Sequence, residues 1–176
     1  METLHYLVYE SAIGPLVIGA SHTGLVLVEF MREARRPSSR AITRDAAGDK
    51  AEILWEEKEK TTRPYIQQLE EYFAGKRREF TCPLDMRGTE FQKRCWRELV
   101  NIPYGVTLSY RELAARVGTT GFRAVGAANG ANPISIIVPC HRVIASNGTL
   151  WGYGGGLDRK RRLLDMEGAL TPLLVA

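Results

Sequence analysis

The chain has 176 residues, of which 44% are hydrophobic and 25% charged, as in a globular protein of one domain or two small ones. It has no apolar run long enough to cross a membrane, which argues against a transmembrane helix. Its N-terminus has no basic region followed by an apolar one, which argues against a signal peptide. Its three widely spaced cysteines argue against a disulfide framework and a structural zinc site. We therefore expect a cytoplasmic protein with no metal, no cofactor and no membrane partner.

The net charge of +4 is unevenly distributed. Residues 1–85 carry 12 Lys and Arg against 14 Asp and Glu, whereas residues 86–176 carry 12 against 6. This bias favours a polyanion or a phosphate-bearing substrate for the second half, with a solvated basic surface as the alternative.

The first half is predicted to be a small α/β domain. Three apolar segments separated by turn residues, Leu4–Glu10, Pro15–Ala20 and Leu25–Phe30, predict an antiparallel meander. Residues 32–50 are polar and arginine-rich, which indicates a mobile surface loop. The charged segment Glu52–Lys60 is interpreted as a helical turn or as part of that loop.

A helix is predicted from Pro64, which suits a first helical position, to Ala74. Phe80–Cys82 is predicted to form a last strand, and Asp85–Gly88 a linker. We expect a domain boundary at residues 85/86, a second domain to residue 168, and a C-terminal tail over 169–176.

The second half begins with helices. Capping boxes at Thr89 and Ser109 predict one helix to Val100 and another over Tyr110–Val117, and a third is predicted over Gly121–Ala128. The last two helices, joined by a glycine-containing turn, indicate a helix-turn-helix. The third helix is rich in small residues, which suits either packing on another helix or close approach to a nucleic-acid groove.

An apolar, β-branched run over 134–138 predicts a short buried strand that ends at Pro139. Cys140 follows, beside His141 and Arg142, which could favour a thiolate. These residues alone leave two interpretations open, a nucleophile and a buried structural thiol.

The C-terminal region combines a loop over Gly148–Gly156, either a pocket wall or a flexible linker, with a helix from Asp158 as N-cap to Glu167. Four cations crowd the first turn of this helix, against the helix dipole: Arg159, Lys160, Arg161 and Arg162. Such a placement suggests contacts to phosphates, with simple solvation as the alternative.

Taken together, the second half resembles the O6-alkylguanine-DNA alkyltransferase family, most closely its bacterial stand-alone members. The matching segments follow the family order over about eighty residues: Phe91-Gln92 with Trp96, Ile102-Pro103-Tyr104-Gly105, Ser109-Tyr110, Arg123-Ala124-Val125-Gly126, Asn132-Pro133, Pro139-Cys140-His141-Arg142-Val143, Tyr153 with Gly155-Gly156, and Leu163-Leu164 with Glu167-Gly168. The first half matches only in general shape. The zinc-binding cysteines of some animal members have no counterpart here.

The resemblance implies a role for each catalytic residue. Cys140 would accept the alkyl group, with His141 as general base acting through a water molecule. Glu167 would orient His141, and Asn132 would brace the turn that bears the cysteine. Tyr110 would support proton transfer to the leaving guanine and contact the DNA backbone.

The resemblance also implies a DNA-binding surface and a pocket. Arg123 would fill the gap left by an extruded nucleotide, and the other predicted DNA-binding residues are Tyr110, Phe122, Ala124 and Gly126. The predicted substrate pocket comprises Val143, Trp151, Tyr153, Gly154 and Gly155. Phe122, Trp151 and Gly154 depart from the residues common in the family, so the range of accepted alkyl groups stays open.

The implied fold is α/β (α+β), with a small N-terminal antiparallel sheet domain and a mainly helical C-terminal domain that holds the helix-turn-helix and the reactive cysteine. The implied function is DNA repair by a single irreversible transfer from O6 of guanine in duplex DNA, with activity on O4 of thymine left open. We expect a monomer, with clustering on DNA left open. The alternatives are a lesion-binding protein that transfers nothing and a cysteine hydrolase.

Overall fold

A computed structural model describes residues 2–31 and 53–170. The chain divides into two compact units, Met1–Thr89 and Glu90–Ala176. The predicted surface loop over 32–50 and residues 171–176 of the predicted tail lie outside the described residues.

The first unit is built on a four-stranded sheet, ordered β3-β2-β1-β4, formed by β1 (Glu2–Ser11), β2 (Gly14–Ala20), β3 (Leu25–Phe30) and β4 (Ile53–Glu57). The first three strands pair antiparallel, as the predicted meander requires, and β4 pairs parallel with β1. The interpretation of Glu52–Lys60 as a helical turn or part of the loop was therefore wrong for residues 53–57, whereas Glu59 and Lys60 are helical. As an edge strand that exposes Leu54 and Glu57, β4 lacks the apolar run by which a buried strand is recognised.

Helix α1 (Glu59–Phe73) packs on β1 and β2. It begins five residues before Pro64, so the prediction that this proline opens the helix was wrong. Pro64 lies inside the helix, where its missing N–H forfeits one hydrogen bond. Burial of Ile66 and Leu69 holds the helix on the sheet despite that loss.

The predicted strand over Phe80–Cys82 does not form. Leu84 instead makes a single bridge to Leu25 at the start of β3. The segment predicted as a linker is firmly held, because buried Arg87 forms ion pairs with Glu2 and with Asp85, both at 2.6 Å.

The second unit contains α2 (Glu90–Val100), α3 (Tyr110–Val117), α4 (Phe122–Gly130) and α5 (Leu157–Met166), with β5 (Leu108–Ser109) paired parallel to β6 (Val143–Ile144). The Ser109 capping box is present, and α3 ends at Gly118 in the left-handed region, as predicted. Helices α3 and α4 pack on each other and on α2. The N-cap of α5 is Gly156, so the placement of Asp158 there was wrong.

Residues 135–137 form a turn, between a bridge residue at Ile134 and a bend at Val138, so the predicted strand was wrong. The backbone groups of this segment are satisfied locally: Val138 N–H donates to the Ile134 carbonyl at 2.9 Å. Ile136 has a φ of 72°, an unusual value for a β-branched residue. The β-branched side chains reflect burial here, and a turn rather than a strand delivers the chain to Pro139.

Within the described residues, no helix is long and apolar enough to cross a membrane. The same part of the chain contains no group of three or more His, Cys, Asp and Glu side chains placed to hold a metal ion.

Candidate active site

Cys140 opens a short 3-10 helix, Cys140–Arg142, directly after Pro139. Its side chain is buried, with the residue only 5% exposed. Burial raises the pKa of the Cys140 thiol, while a hydrogen bond from Asn132 and the positive charge of Lys160 act in the opposite direction. The thiol is thus protonated at rest, and the groups that favour the thiolate already surround it.

Asn132 braces the turn that leads to the cysteine. Its Nδ2 donates to the Val138 carbonyl at 2.8 Å, and its Oδ1 accepts from the Ile134 N–H at 3.0 Å. One amide side chain therefore ties both ends of the turn and contacts the thiol of Cys140 as well.

His141 and Glu167 form a buried pair with both side chains fully inaccessible, and His141 Nε2 lies 2.8 Å from Glu167 Oε1. Burial lowers the pKa of His141, although Glu167 opposes the change. Burial alone would raise the pKa of Glu167, but hydrogen bonds from His141 and Arg142 hold it well below its usual range. Because the ionised carboxylate can only accept, Nε2 carries the proton and Nδ1 of the neutral ring is the basic nitrogen.

Arg142 forms an ion pair with Glu167, and its side-chain hydrogen bonds go to Glu167 and to a backbone carbonyl rather than to the thiol. Its Nε donates to Glu167 Oε2 at 2.8 Å and its Nη2 to Oε1 at 3.0 Å, while Nη1 donates to the Ile102 carbonyl. The Tyr104 ring lies under the guanidinium, 5.9 Å away, and the Gly105 N–H donates to Glu167 Oε2 at 3.3 Å. The Ile102–Gly105 segment, which the sequence marked only as a match, thus fixes the carboxylate that orients His141.

A cavity of about 750 Å³ lies in this unit. Of the predicted residues it is lined by Tyr110, Phe122, Arg123, Gly126, Trp151, Tyr153 and Gly154. Asn129, on α4, also lines it and donates to the Cys140 carbonyl at 3.4 Å, which places the cysteine behind the cavity wall. Val143 and Gly155 are not among its lining residues.

Two tyrosines, Tyr110 and Tyr153, line the cavity and lie near the Cys140 thiol. Burial raises the pKa of Tyr110 and of Tyr153, and the nearby Cys140 raises both further. The Tyr110 hydroxyl donates to the Trp151 carbonyl at 3.1 Å. Both phenols are therefore protonated and lie close enough to Cys140 to interact electrostatically with it.

At the start of helix α4, Phe122, Arg123 and Ala124 are exposed, while Val125 and Asn129 are buried. Gly126 lies against the Tyr110 ring, where an added Cβ would be 3.8 Å from the nearest ring carbon. Trp96 anchors the helix from α2 by donating its indole N–H to the Ala128 carbonyl at 2.8 Å. Of the predicted DNA-binding residues, Tyr110, Phe122, Arg123 and Gly126 thus line the cavity, and Ala124 is exposed but does not line it.

Several residues of this site were not predicted from the sequence. Asn129 and Ser146 line the cavity, and Lys160, grouped with the surface cations, is completely buried. The sequence did offer a signal for Lys160, because position 160 precedes the apolar residues Leu163 and Leu164 by one helical turn.

Both halves of the chain match family models. Residues 4–86 match the model described as 6-O-methylguanine DNA methyltransferase, ribonuclease-like domain, and residues 90–169 match 6-O-methylguanine DNA methyltransferase, DNA binding domain.

The curated relatives include methylated-DNA–protein-cysteine methyltransferases from Mycobacterium bovis (44% identity; 96% of this chain and 95% of the relative covered) and Methanosarcina acetivorans (44%; 94% and 99%). A crystal structure of Mycobacterium tuberculosis OGT in complex with DNA is similar at a TM-score of 0.79 and 42% identity, covering 97% of each chain. The site geometry, the two family models and these relatives lead to one conclusion: the chain belongs to the 6-O-methylguanine DNA methyltransferase family.

Proposed function

We propose that this protein repairs DNA by transferring an alkyl group from O6 of guanine in duplex DNA to Sγ of Cys140, once per molecule. The observation that carries the proposal is the buried Cys140–His141–Glu167 arrangement beside a cavity lined by the exposed Phe122 and Arg123 of α4. Membership of the family and the similarity to a relative in complex with DNA support it.

The first step creates the nucleophile. The thiol proton passes, through an intervening water, to Nδ1 of the neutral His141 ring, whose Nε2–H stays bonded to Glu167. Arg142 keeps Glu167 ionised, so the carboxylate stabilises the imidazolium that forms. Asn132 donates to the developing thiolate and offsets part of the cost of a buried anion.

The second step is a direct displacement at carbon. The thiolate of Cys140 attacks the alkyl carbon, the C–O6 bond breaks, and the electron pair of that bond stays on the guanine. Guanine leaves readily only if it gains a proton, for which Tyr110 is a protonated donor at the cavity wall. The product is a thioether, which water does not cleave, so the thiol is not regenerated.

Cys140 is only 5% exposed, and a base within a stacked duplex cannot present its O6 substituent in line with it. The nucleotide must turn out of the helix into the cavity, at a cost of a few kcal/mol. Arg123, exposed at the cavity mouth, would fill the vacated position in the duplex and offset part of that cost.

The test is to mix the protein with duplex DNA containing O6-methylguanine and to measure its intact mass. We expect the gain of one methyl group in place of hydrogen, located on Cys140, at one equivalent per molecule. Cys140→Ala should show no gain, whereas Cys82→Ala, a half-buried thiol of the other unit, should gain the methyl group normally. An unchanged wild-type mass with tight binding would identify a lesion-binding protein, and multiple turnovers on an ester would identify a hydrolase.

A further inference from the structure

Lys160 is an unusual member of the cationic first turn of α5. Its residue exposure is 0%, whereas its neighbours Arg161 and Arg162 are exposed. Lysine is almost never fully buried unless its charge has partners, because moving an ammonium ion out of water is costly. The expectation that all four cations of this turn face phosphates therefore fails for Lys160, and its burial calls for another reason.

The Lys160 ammonium binds backbone carbonyls on two segments. Nζ donates to the Val143 carbonyl at 2.6 Å, to the Trp151 carbonyl at 2.7 Å and, more weakly, to the Gly152 carbonyl at 3.5 Å. Val143 directly follows the 3-10 helix that bears Cys140, and Trp151 and Gly152 line the cavity. One side chain thus fastens the cavity wall to the segment that carries the nucleophile.

Tyr110 hydrogen-bonds to one of the carbonyls that Lys160 also binds. Its hydroxyl donates to the same Trp151 carbonyl at 3.1 Å, and its ring lies 5.9 Å from Nζ of Lys160. The position of the phenol relative to the cavity wall therefore depends on where Lys160 holds that carbonyl.

The partners of Lys160 are neutral, so its charge is not cancelled locally. No ion pair found in the described part of the chain includes Lys160, since Glu167 is occupied by His141 and Arg142. Burial lowers the pKa of Lys160 to about 8, and Cys140 acts to raise it. The ammonium in turn lowers the pKa of the Cys140 thiol.

The other titratable groups around this pair leave Lys160 as the cation that faces the thiol. Tyr110 and Tyr153 are neutral phenols whose pKa values burial and Cys140 raise. His141 is neutral, because burial and the charges of Arg142 and Lys160 lower its pKa against the effect of Glu167. Arg142 is committed to Glu167.

We propose that Lys160 is a positioning residue of the transfer reaction, which holds the Trp151–Gly152 wall against the Cys140 segment and supplies the positive charge that stabilises the Cys140 thiolate. This inference deepens the proposed function and rests on it for its biological meaning. Its two physical consequences, however, are measurable without DNA.

The first measurement is the rate at which iodoacetamide alkylates Cys140 as a function of pH, resolved from Cys82 and Cys95 by peptide mass spectrometry. We expect Lys160→Met to react at least about tenfold more slowly at neutral pH, with the reactive midpoint moved to higher pH, because an opposite charge near an ionisable group commonly changes its equilibrium by that factor or more. Lys160→Arg should restore much of the rate. Arg161→Met, which removes an exposed charge one residue away, should behave as wild type.

The second measurement is hydrogen exchange of the amides over 145–156. Lys160→Met should exchange faster there, and Arg161→Met should not. If Lys160→Met does not fold, Lys160→Gln keeps hydrogen-bond donors without the charge and should show the same upward movement of the midpoint. A midpoint that matches wild type in the folded neutral variant overturns the electrostatic role, and unchanged exchange in Lys160→Met overturns the positioning role.

The two proposals fail separately. If wild-type protein gains no methyl group from DNA but the iodoacetamide profile depends on Lys160, the proposed function fails and the role of Lys160 in thiolate formation stands. If methyl transfer occurs at the same rate in wild type and Lys160→Met with equal thiol midpoints, the function stands and this inference fails.

Discussion

Replacing Glu167 by glutamine removes one charge from a fully buried group with almost no change in size. The carboxylate accepts from His141 Nε2 and Arg142 Nε at 2.8 Å each, from Arg142 Nη2 at 3.0 Å and from the Gly105 N–H at 3.3 Å. Glutamine keeps one acceptor oxygen, but its NH₂ group faces donors on the other side. The Arg142 guanidinium is then left buried without a counter-charge.

Breaking a buried ion pair by removing one partner costs about 3–5 kcal/mol. Because a domain is stable by about 5–15 kcal/mol, Glu167→Gln should lose a large share of the free energy of unfolding. Urea denaturation monitored by circular dichroism measures this difference at pH 7. Asp165→Asn is the matched control, since it neutralises an exposed acid on the same helix and should leave stability within about 0.5 kcal/mol of wild type.

The pH dependence provides a second check. The folded state holds the pKa of Glu167 below its unfolded value of about 4.3, so the unfolded state binds more protons as the pH falls. Wild type should therefore lose this stabilisation progressively below about pH 4.3, whereas Glu167→Gln has none to lose. The difference in the free energy of unfolding between the two proteins should then narrow as the pH falls. A loss under about 1 kcal/mol at pH 7, or a gap that stays constant into acid, would refute the account of Glu167 as the charge partner of Arg142.

Three further outcomes are expected. Gly105→Ala should lower the free energy of unfolding, measured in urea, more than Gly118→Ala does. Both glycines have φ near 78°, but only at Gly105 would the new Cβ lie 2.9 Å from a backbone oxygen. Equal losses in the two variants would contradict this contact. Ser109→Ala should lower the free energy of unfolding by about 1 kcal/mol through loss of the capping box, and no loss in thermal or urea unfolding would count against it. Arg123→Ala should slow methyl transfer from duplex DNA more than from a single strand, whose base needs no flipping, and equal slowing would argue against the gap-filling role.

Local signals in the sequence predicted local structure well. The Ser109 capping box and the left-handed Gly118 mark the ends of α3 where the structure has them, because side-chain capping and glycine conformation act within a few residues. The three antiparallel strands were likewise predicted, since turn residues separate apolar segments that pair with their neighbours. The family resemblance and the α/β fold class are confirmed by the family models and the similar crystal structures.

The failures concern elements whose partners are distant in sequence. Strand β4 ends in two exposed glutamates and pairs with β1 across about fifty residues, and no local pattern records that pairing. The run over 134–138 is β-branched because it is buried, and burial alone does not distinguish a strand from a turn held by Asn132. Pro64 was placed first in its helix because propensity alone disfavours an interior proline, whereas packing on the sheet outweighs that cost.

The sequence by itself determined which groups of the candidate site are chemically able to react, namely a thiol, an imidazole, a carboxylate and a phenol, together with the order in which they occur. Only the tertiary structure decided what each cation does. Arg142, two residues after the cysteine, hydrogen-bonds to Glu167, and Lys160, twenty residues after it, hydrogen-bonds to the segment that bears the cysteine. The physical reason is that a charge acts on whatever lies within a few ångströms in a buried environment, and those neighbours are set by how α5 packs rather than by position along the chain.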